Sequence, residues 1–374
     1  MSKKPTTKNI PPKAGNYAFS AIAPLPSMSG SMREGITSNG KYVEWGKGNQ
    51  TPAMLRDLYL DVATLETIIN GTVDYVLGNE IRCNVREFAD EVNKKGETIT
   101  DLIEKLACDY MIYGGFAFAV VRNLSGAVAE LEYQDLETVR SNEDNTIFYI
   151  AKSWRKGVRV ESVKLPVFGA DDTNPRSLVF CKGAKTRGVY PVPIWNVKAA
   201  QIEQQITDYH FANLKNGFNA SRIFKFHNGI PDDETKAQIE RDIEDKFCGA
   251  GNGGSKMIHF SEGKEYDLEV ETLEDDGLDK KYESTREWSE RKLYTSFRAI
   301  PCLFGLMTEN NGFSREEFLQ AFELYNQTVV APIQRIITRT FDKVFGVKDS
   351  ITIEPFELKV TKNIESNGDG SNAD

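Results

Sequence analysis

The stretch 282-YESTREWSERKLYTSFRAIPCLFGLMTENNGFSREEFLQAFELYNQTVVAPIQRIITRTFDKVF-345 decides the fold of this chain. Its pattern predicts a charged helix, an apolar break from Ala299 to Leu306, a polar turn and then one long amphipathic helix. Ser314 followed by Glu317 is a capping box for the long helix, and Pro332 predicts a kink in its interior. A helix–loop–helix without a cluster of reactive side chains favours assembly around another molecule over conversion of a small substrate.

Composition sets broad limits. The chain has 374 residues, enough for two to three domains. A formal net charge of −9 and a pI near 5.2 argue against a protein that coats nucleic acid with its whole surface. The five cysteines are far apart and form no CxxC pair, which indicates reduced thiols and neither a disulfide framework nor a zinc site. No apolar run is long enough to span a membrane and the start lacks a signal peptide, so we expect a soluble chain.

The first half of the chain reads as an α+β unit behind a flexible arm. Residues 1–50 are rich in Ser, Gly, Pro and Lys up to about residue 40, which predicts the arm. From Thr51, a predicted N-cap, apolar residues recur every three or four positions to Leu77, indicating one helix. A second helix from near Thr100 stops at two glycines and leads into a hairpin around 123–126, with further strands at 146–154, 158–167 and 177–180. Residues 51–195 are therefore interpreted as helices followed by a mostly antiparallel sheet.

The second half alternates long helices with a small acidic unit. Prolines 191 and 193 mark a boundary, after which residues 196–218 read as a helix ended by Gly217. Residues 219–280 read as strand, helix (231–247), Gly-rich connection and two strands, and between 229 and 280 they hold 16 acidic and 6 basic residues, a charge of −10. A helix over 281–299, the apolar loop 300–313 and a long helix with a final strand over 314–360 follow. The tail 361–374 is disordered by composition.

The sequence contains little evidence for a catalytic site. The loop 249-GAGNGGSK-256 lacks the Lys-Ser/Thr ending of a phosphate-binding P-loop. The three histidines have no metal-ligand spacing, and the acidic runs Asp232-Asp233-Glu234 and Asp275-Asp276 are more often solvated faces than cation sites. No hydrolase or metalloprotease motif occurs. The sequence therefore predicts a protein that is not an enzyme, with no catalytic residues, no metal and no cofactor.

Taken together and in order, a series of motifs resembles the portal proteins of tailed bacteriophages, over roughly residues 50–345. Each motif is weak alone, and their order and spacing make the resemblance specific. They are Tyr113-Gly114-Gly115-Phe116-Ala117 before a strand, Val128-Ala-Glu-Leu131 after it, Tyr190-Pro191-Val192-Pro193, Asn216-Gly217, the strand–helix–Gly-rich–strand module, Ile300-Pro301-Cys-Leu-Phe-Gly305, and Val330-Ala331-Pro332-Ile333 in the last long helix.

The resemblance implies a homo-oligomeric ring, usually dodecameric, at one capsid vertex. Double-stranded DNA is pumped through such a ring by terminase and later leaves through the tail. The implied partners are the major capsid protein, the terminase large subunit, a head–tail adaptor and DNA bound without sequence specificity, with no membrane. The implied location is the virion, and the host cytoplasm during assembly.

Carried over by position, the resemblance divides the chain into a wing (51–195 and 314–360), two stem helices (196–218 and 281–299), an acidic clip (219–280) and a tunnel loop (300–313). The DNA-facing residues of the loop would be Ile300, Pro301, Leu303, Phe304, Leu306, Asn310 and Asn311. Stem cations near DNA would be Arg286, Arg291, Lys292 and Arg298. Docking of terminase or adaptor would use Asp232, Asp233, Glu234, Asp275 and Asp276.

Three alternatives stay open at the level of sequence. From composition alone, the run 300–306 fits a buried connection better than a DNA-facing loop, and only the resemblance reverses that preference. The clustered acids could instead belong to a phage-associated, metal-dependent nuclease. An adaptor or scaffold that binds capsid or tail proteins without forming a channel is the third possibility.

Overall fold

The structure is a computed structural model of the chain. It describes residues 37–38, 41–154, 160–170, 174–184, 186–215, 222–226, 234–235, 238–239, 256–260, 278–305 and 315–356. The described residues fall into two compact units. The larger unit holds those from 37 to 206 and from 278 to 356, and the smaller unit holds those from 207 to 260.

Two helices begin the larger unit, α1 (Thr51–Asp61) and α2 (Ala63–Leu77). The apolar spacing predicted one continuous helix, but Val62 has extended backbone angles and separates the two. The apolar period survives because only this one residue leaves the helical conformation, and its own side chain is buried. Gln50, one residue before the expected Thr51, occupies the N-cap position.

Helix α3 (Ile99–Tyr113) begins and ends on local sequence signals. Thr98 and Asp101 form a reciprocal capping box at its start. Gly114 ends the helix in the left-handed conformation, with φ of 81°, as the glycine pair predicted. A Cβ atom at Gly114 would lie 2.0 Å from the carbonyl oxygen of Val192, so glycine is also required for the proline-rich boundary segment to pack here.

The central sheet has three antiparallel strands in the order β5-β4-β9. β4 (Gly115–Arg122) and β5 (Val128–Tyr133) form the predicted hairpin, and β9 (Arg176–Lys182) pairs with the other edge of β4. The first six residues of β4 are buried. On one face the ring of Phe118 stacks on Phe341 with centroids 5.2 Å apart, so this strand forms the centre of the core.

The other strands of the larger unit form small antiparallel sheets. β3 and β6 had no sequence signal strong enough to predict them, because each is only three or four residues long. The pairings are β1 (Thr37–Ser38) with β2 (Tyr42–Val43), β3 (Glu80–Cys83) with β12 (Ile351–Glu354), and β6 (Val139–Ser141) with β7 (Ile147–Ile150) and β8 (Val163–Pro166).

The segment before α1 is part of the core, although the sequence predicted a flexible arm up to residue 50. Trp45 is 2% exposed and stacks on Tyr190 with ring centroids 4.6 Å apart. The hydroxyl of Tyr190 donates to the carbonyl oxygen of Val43. Polar composition misled the prediction because one aromatic stack and one hydrogen bond are enough to hold a short segment on the core. Most of the predicted arm, and the tail 361–374, lie outside the described residues.

Long helices complete the structure: α4 (Val197–Lys215), α5 (Leu278–Phe297), α6 (Arg315–Tyr325) and α7 (Ala331–Phe345). A π turn, Asn326–Val330, joins α6 to α7 directly before Pro332. Proline lacks an N–H and its ring clashes with the preceding turn, and the wider turn accommodates both effects. The sequence therefore placed the irregularity of the long helix correctly. The predicted N-cap Ser314 and helix-ending Gly217 lie outside the described residues.

In the smaller unit, β10 (Arg222–Phe226) pairs in parallel with β11 (Lys256–Phe260) over five residues. Both strands fall where the sequence predicted them. Parallel neighbours require a crossover connection, and the described residues between the strands, 234–235 and 238–239, are helical. The rest of the predicted helix 231–247 and the predicted last strand lie outside the described residues.

Candidate functional site at the end of helix α5

A short 3-10 helix, Pro301–Phe304, follows α5 and begins the segment expected to face DNA. Left-handed residues flank it, Arg298 with φ of 56° and Gly305 with φ of 81°. At the end of α5, the amide of Ala299 donates to the carbonyl oxygen of Tyr294 at 2.9 Å. The backbone of this segment is thus fixed by local hydrogen bonds, not by strand pairing.

The ring of Phe304 anchors the segment in an aromatic cluster. It makes edge contacts with Tyr325 at 5.6 Å and with Tyr75 and Tyr294 at 6.2 Å between centroids. A Cβ atom at Gly71 in α2 would lie 2.9 Å from the Phe304 ring. Gly71 therefore leaves the space that the ring needs, which connects the 3-10 helix to α2.

Hydrogen bonds reinforce this anchor. The hydroxyl of Tyr75 donates to the carbonyl oxygen of Leu303 at 3.0 Å. Thr72 donates to the carbonyl oxygen of Ile68 at 2.6 Å, so the hydroxyl of Tyr325, 2.6 Å away, donates to Thr72. Burial raises the pKa of both Tyr75 and Tyr325, which keeps the two phenols protonated at neutral pH and able to donate.

The predicted DNA-facing residues therefore differ in how far they are buried. Leu303 is 8% exposed, and Ile300, Pro301 and Phe304 are half-buried. Ile300 and Phe304 pack against the main core. The side chains of Ile300, Leu303 and Phe304 therefore pack towards the core of the larger unit. Leu306, Asn310 and Asn311 lie outside the described residues.

The four cations predicted near DNA are all exposed, but they do not share one surface. Arg291 and Lys292 follow Trp288 by three and four residues, which places all three on one face of α5. Trp288 is 47% exposed, and the Lys292 ammonium lies 5.7 Å from its ring centroid. Arg286 is two residues before Trp288 and thus about 200° around the helix, and Arg298 lies beyond the helix end.

The two helices interpreted as the stem, α4 and α5, are connected by a hydrogen bond between the start of α4 and the last turn of α5. The backbone N–H of Asn196, just before α4, donates to the hydroxyl oxygen of Ser296 in α5 at 3.3 Å. Further along α4, Glu203 is 9% exposed and accepts a hydrogen bond from Thr64 at 2.7 Å. Burial raises the pKa of Glu203, and the hydrogen bond from Thr64 opposes that shift. The start of α4 is thus fixed against both α2 and α5.

Of the residues predicted to dock terminase or adaptor, Glu234 is exposed. Asp232, Asp233, Asp275 and Asp276 lie outside the described residues. Among the described residues, no group of three or more His, Cys, Asp or Glu side chains is placed to hold a metal ion. Within the same part of the chain, no helix is both long and apolar enough to cross a membrane.

Trp288 and Leu60 are among the exposed large apolar side chains, and the sequence did not single them out. Trp288 lies on a helix whose other exposed residues are polar or charged. Leu60 in α1 is 60% exposed, between Asp57 one turn before it and Asp61 directly after it. Leu60 is outside the apolar stripe of its helix, and this mismatch with the helical period is the signal that could have identified it.

Comparisons with known proteins give matches of fold only. No protein-family profile matches the chain, and no curated protein sequence matches it. A chain in the virion of a native gene transfer agent particle is 15% identical, with 82% of this chain and 83% of that chain covered and a TM-score of 0.51. A chain in the neck of an empty gene transfer agent particle, computed with C6 symmetry, is 14% identical, with 82% and 84% covered and a TM-score of 0.51.

A weaker similarity links the chain to an HK97 family phage portal protein from Corynebacterium diphtheriae. That protein is 12% identical, with 77% of this chain and 88% of that chain covered and a TM-score of 0.44. The chain therefore shares its fold with chains of the gene transfer agent particle.

Proposed function

We propose that the chain is the subunit of a portal, a ring at one vertex of a phage-type capsid through which double-stranded DNA enters and leaves. The observation that carries this proposal is the fold shared, over 82% of the chain, with a chain in a particle neck computed with C6 symmetry. Cyclic symmetry means that identical chains repeat around one axis. A chain of the same fold is suited to the same arrangement.

The distribution of charge supports a channel that lets DNA slide. Residues 229–280 carry −10, which exceeds the −9 of the whole chain. Acidic surfaces repel phosphate and so prevent tight retention of DNA. The exposed cations of α5 are few, so any contacts that they make with DNA would be limited and without sequence preference.

The anchored 3-10 helix refines which part of the loop would meet DNA. Leu303 and Phe304 pack into the core, so we assign them the role of a fixed base for the loop. The DNA-facing role is then left to the residues beyond Gly305, including Leu306, Asn310 and Asn311. This division follows from the burial of the base.

The other expected partners belong to the same proposal. The wing would contact the major capsid protein, and the acidic clip would dock the terminase large subunit during packaging and the head–tail adaptor afterwards. ATP hydrolysis would take place in terminase, and the portal itself would be non-enzymatic. The protein would be found in the virion, after assembly in the host cytoplasm.

Electron microscopy and native mass spectrometry of the full-length chain test the ring. We expect closed rings, about twelve subunits each, with a central opening. A monomer or small oligomer in every condition, capsid extracts included, would contradict the portal and favour a non-channel adaptor. Magnesium-dependent cleavage of DNA that is lost in Asp275→Asn would favour the nuclease instead.

A packaging assay tests the refined loop. Asn310→Asp with Asn311→Asp should leave ring formation unchanged but reduce DNA packaging, because two new carboxylates would repel phosphate. Leu303→Asp is the contrasting variant and should prevent folding, since it puts an unpaired charge into the core. Unchanged packaging by the double variant would remove these two residues from the DNA-facing surface.

A further inference from the structure

The exposed face of α5 combines an indole with two cations. Trp288, Arg291 and Lys292 form a stripe at i, i+3 and i+4, here named the α5 stripe. Of the carboxylates on this helix, Glu290 is two residues from Trp288 and points to another side, whereas Glu287 is four residues before Arg291 and therefore lies beside the stripe. With two cations and one neighbouring carboxylate, the α5 stripe keeps a net positive charge beside an exposed indole.

Helix α1 carries a stripe with the same spacing and the opposite charge. Asp57, Leu60 and Asp61 also stand at i, i+3 and i+4, and all three are exposed. We name them the α1 stripe. Arg56 pairs with Asp57 at 2.9 Å but is shared with Glu137, so the surface around Leu60 stays acidic.

Contacts through α4 place the two stripes on different sides of the larger unit. Gln204 in α4 donates to the carboxylate of Asp61 at 2.7 Å. Its neighbour Glu203 interacts electrostatically with Glu290 of α5. Glu290 is two residues after Trp288, about 200° around the helix. The α1 stripe thus lies towards the Glu290 side of α5, whereas the α5 stripe points away from it.

We propose that the α5 stripe of one copy of this chain docks on the α1 stripe of the next copy. The inference rests on the proposed ring, because a cyclic ring needs two different, complementary patches on opposite sides of each subunit. Trp and Arg are enriched at the centres of protein interfaces. The stripes carry opposite charges, and each includes one exposed apolar side chain, Trp288 or Leu60.

DNA is the competing occupant of the α5 stripe. Phosphates would meet Arg291 and Lys292, but a duplex offers no apolar surface to cover the exposed indole of Trp288. The acidic α1 stripe would have no role in that arrangement. A second copy satisfies both stripes at once, which is why we favour it.

Charge reversal in the full-length chain tests the interface. One variant carries Arg291→Glu and Lys292→Glu, and the other carries Asp57→Lys and Asp61→Lys. Each variant alone would place like charges at every junction, so we expect each to fold as the wild type does and to lose ring formation in native mass spectrometry. Mixed in equal amounts, the two should form rings with alternating subunits, because every junction then joins opposite charges.

A third variant tests the exposed indole of Trp288. Trp288→Ala should weaken subunit association by about 30-fold or more, the range of an interface hot spot. Arg335→Glu with Arg339→Glu is the matched control, since it reverses two exposed cations at i and i+4 on α7. The control should form rings as the wild type does.

These experiments distinguish an error in the proposed interface from an error in the proposed function. A wild-type chain that never forms rings overturns the portal and the interface together. Wild-type rings that persist in both charge-reversal variants overturn the interface alone. If the Arg291→Glu, Lys292→Glu variant forms normal rings but no longer retains DNA, the α5 stripe faces DNA.

Discussion

Two cation–tryptophan arrangements among the described residues of the larger unit differ in burial, since one is buried and one is exposed. Arg140 is 1% exposed and lies over Trp154 and Trp45, with 5.1 and 5.9 Å from its guanidinium carbon to the ring centroids. The Lys292 ammonium lies over Trp288 at 5.7 Å, on the surface. The distances are similar, but water is excluded from one pair and available to the other. The first pair therefore belongs to the fold, and the second is available for binding.

The buried cation shows what burial demands of the surrounding chain. Arg140 donates to the side-chain and main-chain oxygens of Asn49 at 2.8 and 3.0 Å, and to the carbonyl oxygens of Val139 and Glu137 at 2.7 and 3.0 Å. Burial lowers the pKa of Arg140 to about 10, which still leaves it charged at neutral pH. These bonds connect the segment before α1 to β6, in a region where the sequence predicted a flexible arm.

The largest expected effect is at Arg140. Arg140→Met keeps an unbranched side chain but removes every donor, so the oxygens of Asn49, Val139 and Glu137 lose their partner. We expect the free energy of unfolding to fall by about 3–5 kcal/mol, measured by chemical denaturation. A loss below about 1 kcal/mol would mean that the buried guanidinium contributes no more than an exposed one.

The anchored base of the loop should behave as part of the buried region. Phe304→Ala removes the ring that contacts Tyr75, Tyr294 and Tyr325, and we expect a loss of about 2–4 kcal/mol. Thermal and chemical denaturation would measure it.

Gly71→Ala tests the same packing, because its effect on the free energy of unfolding should have opposite signs with and without the Phe304 ring. In the wild type the added methyl group meets the Phe304 ring at 2.9 Å and should destabilise the protein. In the Phe304→Ala background that clash is absent, and the substitution should stabilise the helix by up to about 1 kcal/mol. The same sign in both backgrounds would contradict the packing described for this ring.

Two carboxylates on α3 give the same comparison for anions, since Asp109 is buried and Asp101 is exposed. Asp109 is buried and accepts from the hydroxyl of Tyr133 at 3.1 and 3.2 Å. Burial raises the pKa of Asp109 well above its ordinary value, and the charge of Asp135 adds to the shift. The folded state then holds a proton that the unfolded state releases above about pH 4. Asp109 therefore lowers the free energy of unfolding progressively as the pH rises towards the pKa of Asp109 in the folded state.

Asp109→Asn should remove that dependence, so the stability of the variant relative to the wild type should increase between about pH 5 and pH 8. The measurement is the free energy of unfolding at each pH. Asp101→Asn is the matched control, because hydrogen bonds from Thr98 lower the pKa of the exposed Asp101. Its contribution is lost only as the pH falls, so its slope has the opposite sign and lies at lower pH.

The smallest expected effect is at the exposed pair. Lys292→Met should change the free energy of unfolding by no more than about 0.5 kcal/mol, because exposed cation–aromatic pairs contribute little and the side chain stays in water. The assay is the same chemical denaturation used for Arg140→Met. A loss above about 2 kcal/mol would remove the contrast between the two tryptophan sites.

Local signals in the sequence predicted most of the regular elements. The glycine pair after α3 and the turn at 123–126 fixed the first hairpin, and Pro332 located the irregularity of the long helix. The short strand β3 was missed because it pairs with β12 from a distant part of the chain, and β6 was missed because it has only three residues. Arg140 was missed for a related reason, since the oxygens that accept from it lie at two separate places in the sequence.

By itself, the sequence determined the order of most helices and strands, the acidic stretch between α4 and α5, and the apolar run after α5. These depend on periodicity, turn chemistry and composition, which act between near neighbours. Only the tertiary structure decided that Leu303 and Phe304 pack inward, that Arg140 is buried, and that the α1 and α5 stripes lie on different sides. Burial depends on contacts between residues far apart in the chain, and no local pattern specifies those contacts.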